Sequence, residues 1–404
     1  MEYRKFLSDR LSLFRVSATR EAIKLLEKLK LPKLVRFAAG NPGPEIYPYE
    51  TIAEIAKEVV MQYKASVLLY GSTKGEKGFI ESLKSFMYQR GINVRSDDDI
   101  IVVTGSQQAL YLISTLLVNP GDYIALENPT YLAAINAFKT ANPNMIGVPV
   151  DEKGMKVEIL EEELRKLKNS GKGLKYVYTI PTASNPTGIS TTLDRKKYLL
   201  ELASKYDFLV VEDDPYSYFT YEDTDTTSLK SLDSEGRVIY ISTMSKIFAP
   251  ALRVGWVLAN SVLVSQLERI KAVIDLHTPL ISQCMSKIAI ERGLVHEVVR
   301  KAKELYKVKR DAMLKALEEN IPGGKWVKPI GGLFVMVWLP EKINTEALLP
   351  DALRAGVQYV PGRQFFVDDS GTNTLRLNFS YPPLEDIPYG IEVLGKLIKD
   401  KLKN

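Results

Sequence analysis

Residues 242–256 read STMSKIFAPALRVGW, one lysine among small hydroxyl residues, with an arginine seven positions on and Gly-Trp just beyond it. The stretch follows an apolar run, VIYIST at 238–243. Lys246 has two readings. It is surface charge at a turn, or its amine is a reagent. Burial and a nearby positive charge both lower a lysine's pKa. A neutral amine attacks a carbonyl and forms a Schiff base. Thr243, Ser245 and Arg253 offer donors that suit a phosphate. The rest of the chain decides between the readings.

VIYIST is one of a set. Short runs rich in Val and Ile recur at IIVVTG (100–105), DYIALE (122–127), YVYTIP (176–181), FLVVED (208–213) and VGWVLA (254–259). Helical spacing separates most of them, which predicts a parallel α/β sheet covered on both faces. Helices are expected near 261–275 and 296–319. The pattern then changes: GGLFVMVWL (331–339), VQYVPG (357–362) and TLRLNFS (374–380) look like a smaller α+β unit. Near the start, SATREAIKLLEKL has a Ser start and helical apolar spacing. AAGNPGPEIYP (38–48) is a Gly/Pro loop. This divides the chain into an N-terminal helix and loop (1–45), a large domain (46–295) and a small one (296–404).

Composition narrows the chemistry. The 404 residues carry 54 basic and 49 acidic side chains, a net charge of +5 with no basic block, so nucleic acid is not expected as a partner. The single cysteine, Cys284, excludes an intramolecular disulfide and a Cys-cluster metal site. Two histidines, His277 and His296, are too few for a zinc site or a relay of imidazoles. No metal is expected. The start, MEYRKFLSDR, has no apolar signal region, and no run approaches the ~18 residues that span a membrane. The expected compartment is the cytoplasm. Lys- and Glu-rich helices with little cysteine fit a thermophile.

Unusual residues gather just after the strands, where open α/β sheets bind ligands. Gly105-Ser106-Gln107 follows IIVVT and opens a helix, whose free N–H groups and dipole attract an anion. An ordinary N-cap serine explains Ser106 as well. Asp213, Asp214, Pro215 and Tyr216 follow FLVVE. These acids are solvated loop charges, or one is a buried carboxylate facing a cationic ring nitrogen. Asn185, in the turn-rich PTASNPTG (181–188), has an amide to donate to a ligand oxygen, although a plain turn accounts for most of that stretch. A lysine for an aldehyde, a phosphate cradle and an acid for a pyridinium nitrogen together describe a pyridoxal phosphate site.

These motifs are shared. SNPTG (184–188), EDDPY (212–216), SK with LRVGW (245–246, 252–256) and RLNFS (376–380) resemble the fold-type I, pyridoxal phosphate-dependent aminotransferases of class I/II. The likeness covers nearly the whole chain, and its best-fitting branch is the kynurenine/2-aminoadipate/aromatic aminotransferases. It implies a large domain with a mostly parallel seven-stranded sheet between helices, plus a smaller α+β domain. It implies that Lys246 holds the cofactor as the internal aldimine and then moves the Cα proton. Asp213 pairs with the pyridinium nitrogen. Tyr216 and Asn185 bond the ring hydroxyl oxygen, and Tyr131 stacks on the ring. Ser106, Gln107, Thr243, Ser245 and Arg253 bind phosphate. Tyr70, in LLYGSTKG, reaches the phosphate of the neighbouring subunit in a homodimer. Arg376 grips the substrate carboxylate with Asn185, and Gly40 permits close approach of the substrate. Ser17 and Arg20 match a mobile N-terminal helix that meets the substrate side chain; an amphipathic surface helix explains Arg20 equally. AAGNPGPE departs from the branch's usual GG or AGGxP.

The resemblance implies a ping-pong exchange of amino and keto groups, with aromatic amino acids, 2-aminoadipate or glutamate as donors and 2-oxoglutarate as acceptor. A β-lyase or decarboxylase uses much the same site. A regulator with a DNA-binding module is not expected, since only a few dozen residues precede AAGNPGPE. A dehydrogenase is not expected either: IVVTGSQQ lacks the G-x-G-x-x-G fingerprint.

Overall fold

The computed structural model describes residues 3–13 and 31–403. Its central sheet contains β1 (Asp98–Val103), β2 (Tyr123–Asn128), β3 (Asn144–Asp151), β4 (Gly154–Met155), β5 (Leu174–Thr179), β6 (Leu209–Asp213), β7 (Val238–Thr243) and β8 (Gly255–Asn260). The order across the sheet is β1-β8-β7-β6-β5-β2-β3-β4. Strands β7, β6, β5, β2 and β3 run parallel in succession, while β8 is antiparallel to both β1 and β7. The two-residue β4 folds back on β3 and adds a short eighth strand to the seven expected.

Each strand expected from its Val/Ile run is present. β3 was not anticipated, because NMIGVPVD carries Gly147 and Pro149, which weaken a strand reading. The antiparallel β8 was not anticipated either. A parallel return needs a crossover of about a dozen residues or more. Residues 244–254 instead hold the one-turn helix Met244–Ile247 and a tight turn. That short return carries Lys246 and Arg253.

Alternation along the strands feeds two cores. Tyr176 and Tyr178 of β5 face one side with Phe138, while Val177 faces the other with Val210 and Val238. Helices Val157–Asn169 and Leu193–Tyr206 cover the second face through Leu160, Leu164, Leu199 and Leu202. Both faces are therefore buried, which is why the strands are apolar throughout.

Beyond the 27-residue helix Leu294–Asn320 lies a second, three-stranded antiparallel sheet: β9 (Phe334–Trp338), β10 (Val360–Pro361) and β11 (Thr374–Asn378), ordered β9-β11-β10. The early chain joins this unit. Val35–Arg36 pairs in parallel with Val357–Gln358, and Asn378 N donates to Phe37 O at 2.8 Å. Gly43 N donates to Tyr306 Oη at 2.8 Å, and the buried Lys309 Nζ reaches Glu45 at 2.7 Å. The Gly/Pro loop is thus fastened to the smaller unit. Ser17 and Arg20 lie outside the described residues. No helix among the described residues is long and apolar enough to cross a membrane.

Candidate active site

A cavity of about 220 Å³ opens where β5, β6 and β7 end and the Gly/Pro loop crosses. Twelve sequence candidates line it: Gly40, Ser106, Gln107, Tyr131, Asn185, Asp213, Tyr216, Thr243, Ser245, Lys246, Arg253 and Arg376. They come from loops and strand ends far apart in the chain. The central sheet gathers most of them because its parallel strands end along one edge, while Gly40 comes from the Gly/Pro loop and Arg376 from the second sheet.

Lys246 sits in the one-turn helix after β7, capped by Thr243, whose Oγ1 accepts from Ser245 N at 3.1 Å. Its Nζ donates to the carbonyl oxygen of Gly40 at 2.6 Å. Burial, helped by Arg376 and Arg253, lowers its pKa to about 8, against a smaller opposing pull from Asp213. The amine is therefore available as a nucleophile near neutral pH.

Arg253 closes the other end. Its Nη2 donates to Thr104 O at 3.3 Å and its Nη1 to Pro250 O at 3.2 Å, with Ser245 Oγ at 3.5 Å. The guanidinium packs over Gly105, whose φ is +76°. A Cβ at Gly105 would lie 2.2 Å from Arg253 Nη2. Glycine is required twice there, for the backbone and for the close approach. Directly after it begins the helix Ser106–Leu117, whose first N–H groups have no intrahelical partner. Arginine, hydroxyls and helix start converge at one end of the cavity.

Asp213 ends β6 and is buried. Its Oδ2 accepts from Tyr178 Oη at 2.8 Å; its Oδ1 is buried with no partner among the described residues. Burial pushes the carboxyl up to about 7, with Asp214 adding to the rise and Tyr178 and Lys246 opposing it. Asp214 is the wrong acid for a ligand. Ser217 N donates to it at 3.1 Å, Ser217 Oγ at 2.6 Å and Tyr240 Oη at 3.0 Å, and Arg90 stands 3.7 Å away. Asp213 lines the cavity, and its Oδ1 has no such partners among the described residues.

Arg376 projects from β11, in the smaller unit. Its Nη1 donates to Asn185 Oδ1 at 3.1 Å and its Nη2 to Ala38 O at 3.0 Å. The guanidinium lies 4.0 Å from the Phe334 ring centroid and 5.3 Å from that of Phe365. No carboxylate pairs with it among the described residues, and its Nε is buried and unpartnered. Burial lowers its pKa to about 10, so it remains a cation at neutral pH. A buried cation held by an amide, a carbonyl and two rings is suited to a carboxylate from solution. Tyr216 is buried edge-on to Phe334, with ring centroids 6.1 Å apart. Burial raises the hydroxyl pKa of both Tyr216 and Tyr131, so each stays a neutral donor. At Gly40 a Cβ would meet nothing within 4 Å, so the loop leaves open space beside Lys246.

Tyr70 is not in this cavity. It is 87% exposed, and its ring meets His277 edge-on at 6.1 Å. Asn41, Phe334 and Tyr178 were missed in the sequence. Asn41 and Phe334 line the cavity. Tyr178 sits inside a strand, where tyrosine is an ordinary core residue.

These residues fit pyridoxal phosphate. The unpartnered Asp213 Oδ1 suits a protonated ring nitrogen, the Arg253 corner suits the phosphate, and Lys246 supplies an amine for the aldehyde. The aminotransferase class I and II family model matches residues 32–394. The aromatic-amino-acid aminotransferase 1 of Thermococcus litoralis is 45% identical over all of this chain and 96% of its own. The 2-aminoadipate transaminase of Thermus thermophilus is 34% identical over 96% of this chain and 94% of its own. The kynurenine aminotransferase of Pyrococcus horikoshii, solved in complex with PMP and KYN as substrates and KYA as products, superposes with a TM-score of 0.95. It shares 43% identity over 100% of this chain and 99% of its own. Sequence match, fold and cavity agree that this chain belongs to the class I and II aminotransferases and is a pyridoxal phosphate-dependent enzyme.

Proposed function

We propose that the enzyme moves the amino group of an L-amino acid, of the aromatic, 2-aminoadipate or glutamate type, to a 2-oxo acid, with 2-oxoglutarate as acceptor, in two half-reactions of a ping-pong cycle. The relatives' names supply the aromatic and 2-aminoadipate donors. The observation that carries the reading is the sharing of one cavity by the Lys246 amine, the unpartnered Asp213 oxygen and the Arg376 fork.

Pyridoxal phosphate, when bound, supplies an aldehyde that condenses with amines and a protonated ring that accepts the electron pair left at Cα. Lys246 Nζ would be the amine that holds this aldehyde. Its free amine would stand beside the substrate Cα as the base that takes a proton there and the acid that returns it. Asp213 keeps the ring nitrogen protonated as a carboxylate in a low-dielectric site. Tyr216 and Asn185 would hold the ring hydroxyl oxygen, and Tyr131 would stack on the ring. Ser106, Gln107, Thr243, Ser245 and Arg253 hold the phosphate. Arg376 binds the substrate carboxylate as a two-bond fork, and Gly40 leaves room for Cα. In this reading residues 46–295 bind the cofactor, 296–404 carry the fork and the Gly/Pro loop at 38–48 crosses the mouth of the site.

The working form is a homodimer in which Tyr70 reaches the neighbouring phosphate. Leu68 and Leu69 are 64% and 67% exposed beside Tyr70, and Val273 is 84% exposed close in sequence to His277. An apolar surface of this kind supports a covered interface. The test of function is the product balance. Incubation with a donor and 2-oxoglutarate gives one new keto acid for each glutamate formed. Release of carbon dioxide or ammonia without glutamate would instead indicate a decarboxylase or β-lyase.

A further inference from the structure

We propose that Tyr178, on the strand beside Asp213, is a positioning residue that fixes where the proton shared between Asp213 and the cofactor ring nitrogen resides. The inference rests on the functional reading above and adds a residue to it. Tyr178 is wholly buried on β5. Its hydroxyl is the only described hydrogen-bond donor to the Asp213 carboxylate, through Oδ2 at 2.8 Å, and leaves Oδ1 unpartnered. The ring packs edge-on against Phe138, with centroids 5.2 Å apart and planes at 75°.

The consequence follows from competition for one proton. A hydrogen bond to the ionised carboxylate makes it a weaker base, so the proton stays on the ring nitrogen. Without the hydroxyl, burial is less opposed and Asp213 holds the proton more tightly. The ring is then less positive and a weaker acceptor of the Cα electron pair. Burial holds the Tyr178 hydroxyl well above the ordinary phenol range, so it remains a donor throughout the working pH. The other groups around Asp213 do not replace it. Lys246 and Asp214 act on it only through charge. Glu127, a buried acid on β2, is engaged by Thr179, Ile180 N and Ser184, and Tyr131 and Tyr216 make no hydrogen bond to it.

The test is Tyr178→Phe in the holoenzyme. It keeps the ring and its contact with Phe138. The expected result is a kcat about tenfold lower with a KM for the amino donor within twofold of wild type. The visible band of the bound cofactor should titrate at higher pH, because a less positive ring raises the proton affinity of the C=N nitrogen conjugated with it. Fluorotyrosine placed at position 178 is a stronger donor of the same shape and should move the titration to lower pH. This arm applies even where the phenylalanine variant folds poorly. Phe138→Leu, which disturbs packing but keeps the hydroxyl, should leave the titration unmoved. An unshifted titration with unchanged kcat in Tyr178→Phe overturns the proposal, as does an unshifted titration with fluorotyrosine. A wild-type protein that binds no pyridoxal phosphate is a different outcome and overturns the functional reading itself.

Discussion

Lys246 Nζ is 2.6 Å from the carbonyl oxygen of Gly40, a residue 206 positions earlier in the chain. Two positions before Gly40, the carbonyl oxygen of Ala38 holds Arg376 at 3.0 Å. One loop therefore positions both the amine and the carboxylate fork. The loop in turn is tied to the smaller unit through Tyr306, Lys309 and Asn378. The two ends of a bound amino acid would be gripped by elements that share one mechanical anchor.

The lysine sets a pH dependence for loading. Only the neutral amine attacks an aldehyde. With its pKa lowered to about 8, the rate of cofactor capture by the cofactor-free protein should rise up to about pH 8 and then level off. An exposed lysine would keep gaining until about pH 10. Stopped-flow absorbance across pH 6–10 distinguishes the two profiles.

Asp213 trades stability for function. In the cofactor-free protein it titrates at about 7 because it is buried, against about 3.9 in an unfolded chain. Between these values the folded state keeps a proton that the unfolded state has lost. Stability therefore falls as pH rises through this window, and the full cost is present above pH 7. Asp213→Asn should raise the melting temperature of the cofactor-free protein at pH 8 by on the order of a few degrees, and have little effect at pH 4. The same variant should lose at least about a hundredfold in kcat, within the range general for a misplaced proton. Thermal melts at two pH values and steady-state rates check both halves.

Arg376→Lys keeps the charge and loses the fork. A lysine ammonium does not reproduce two parallel N–H···O bonds or the stacking on Phe334 and Phe365. KM for the amino donor should rise about 10–100-fold, as loss of a charge-assisted bond implies, with cofactor affinity little changed. Steady-state kinetics beside a cofactor titration separate the effects.

Gly105→Ala probes the phosphate corner. The added methyl would meet Arg253 Nη2 at 2.2 Å in a backbone with φ of +76°. The arginine must move and the turn is strained by about 1 kcal/mol. Cofactor dissociation should be about tenfold tighter in wild type than in the variant, measured by fluorescence titration.

Much of this was legible in the sequence, for physical reasons. The runs at 100–103 and 238–243 are fully buried strands, and a strand buried on both faces must be apolar throughout. Lys246, Asp213 and Ser106 sit where such strands end, so their placement followed from the strands. Arg376 was legible only through resemblance, because an arginine inside a short strand carries no local signal. The direction of β8 was hidden, since a Val-rich strand reads alike either way. Tyr178 was hidden because a strand tyrosine looks like packing until its hydroxyl is traced to Asp213.

The most direct test is an absorbance spectrum of the purified protein supplied with pyridoxal phosphate, beside Lys246→Ala. The account predicts a visible band in the wild type that fades on adding glutamate or an aromatic amino acid and returns with 2-oxoglutarate, while Lys246→Ala completes no such cycle. A wild-type protein that stays colourless with the cofactor supplied, or a variant that cycles as the wild type does, would contradict it.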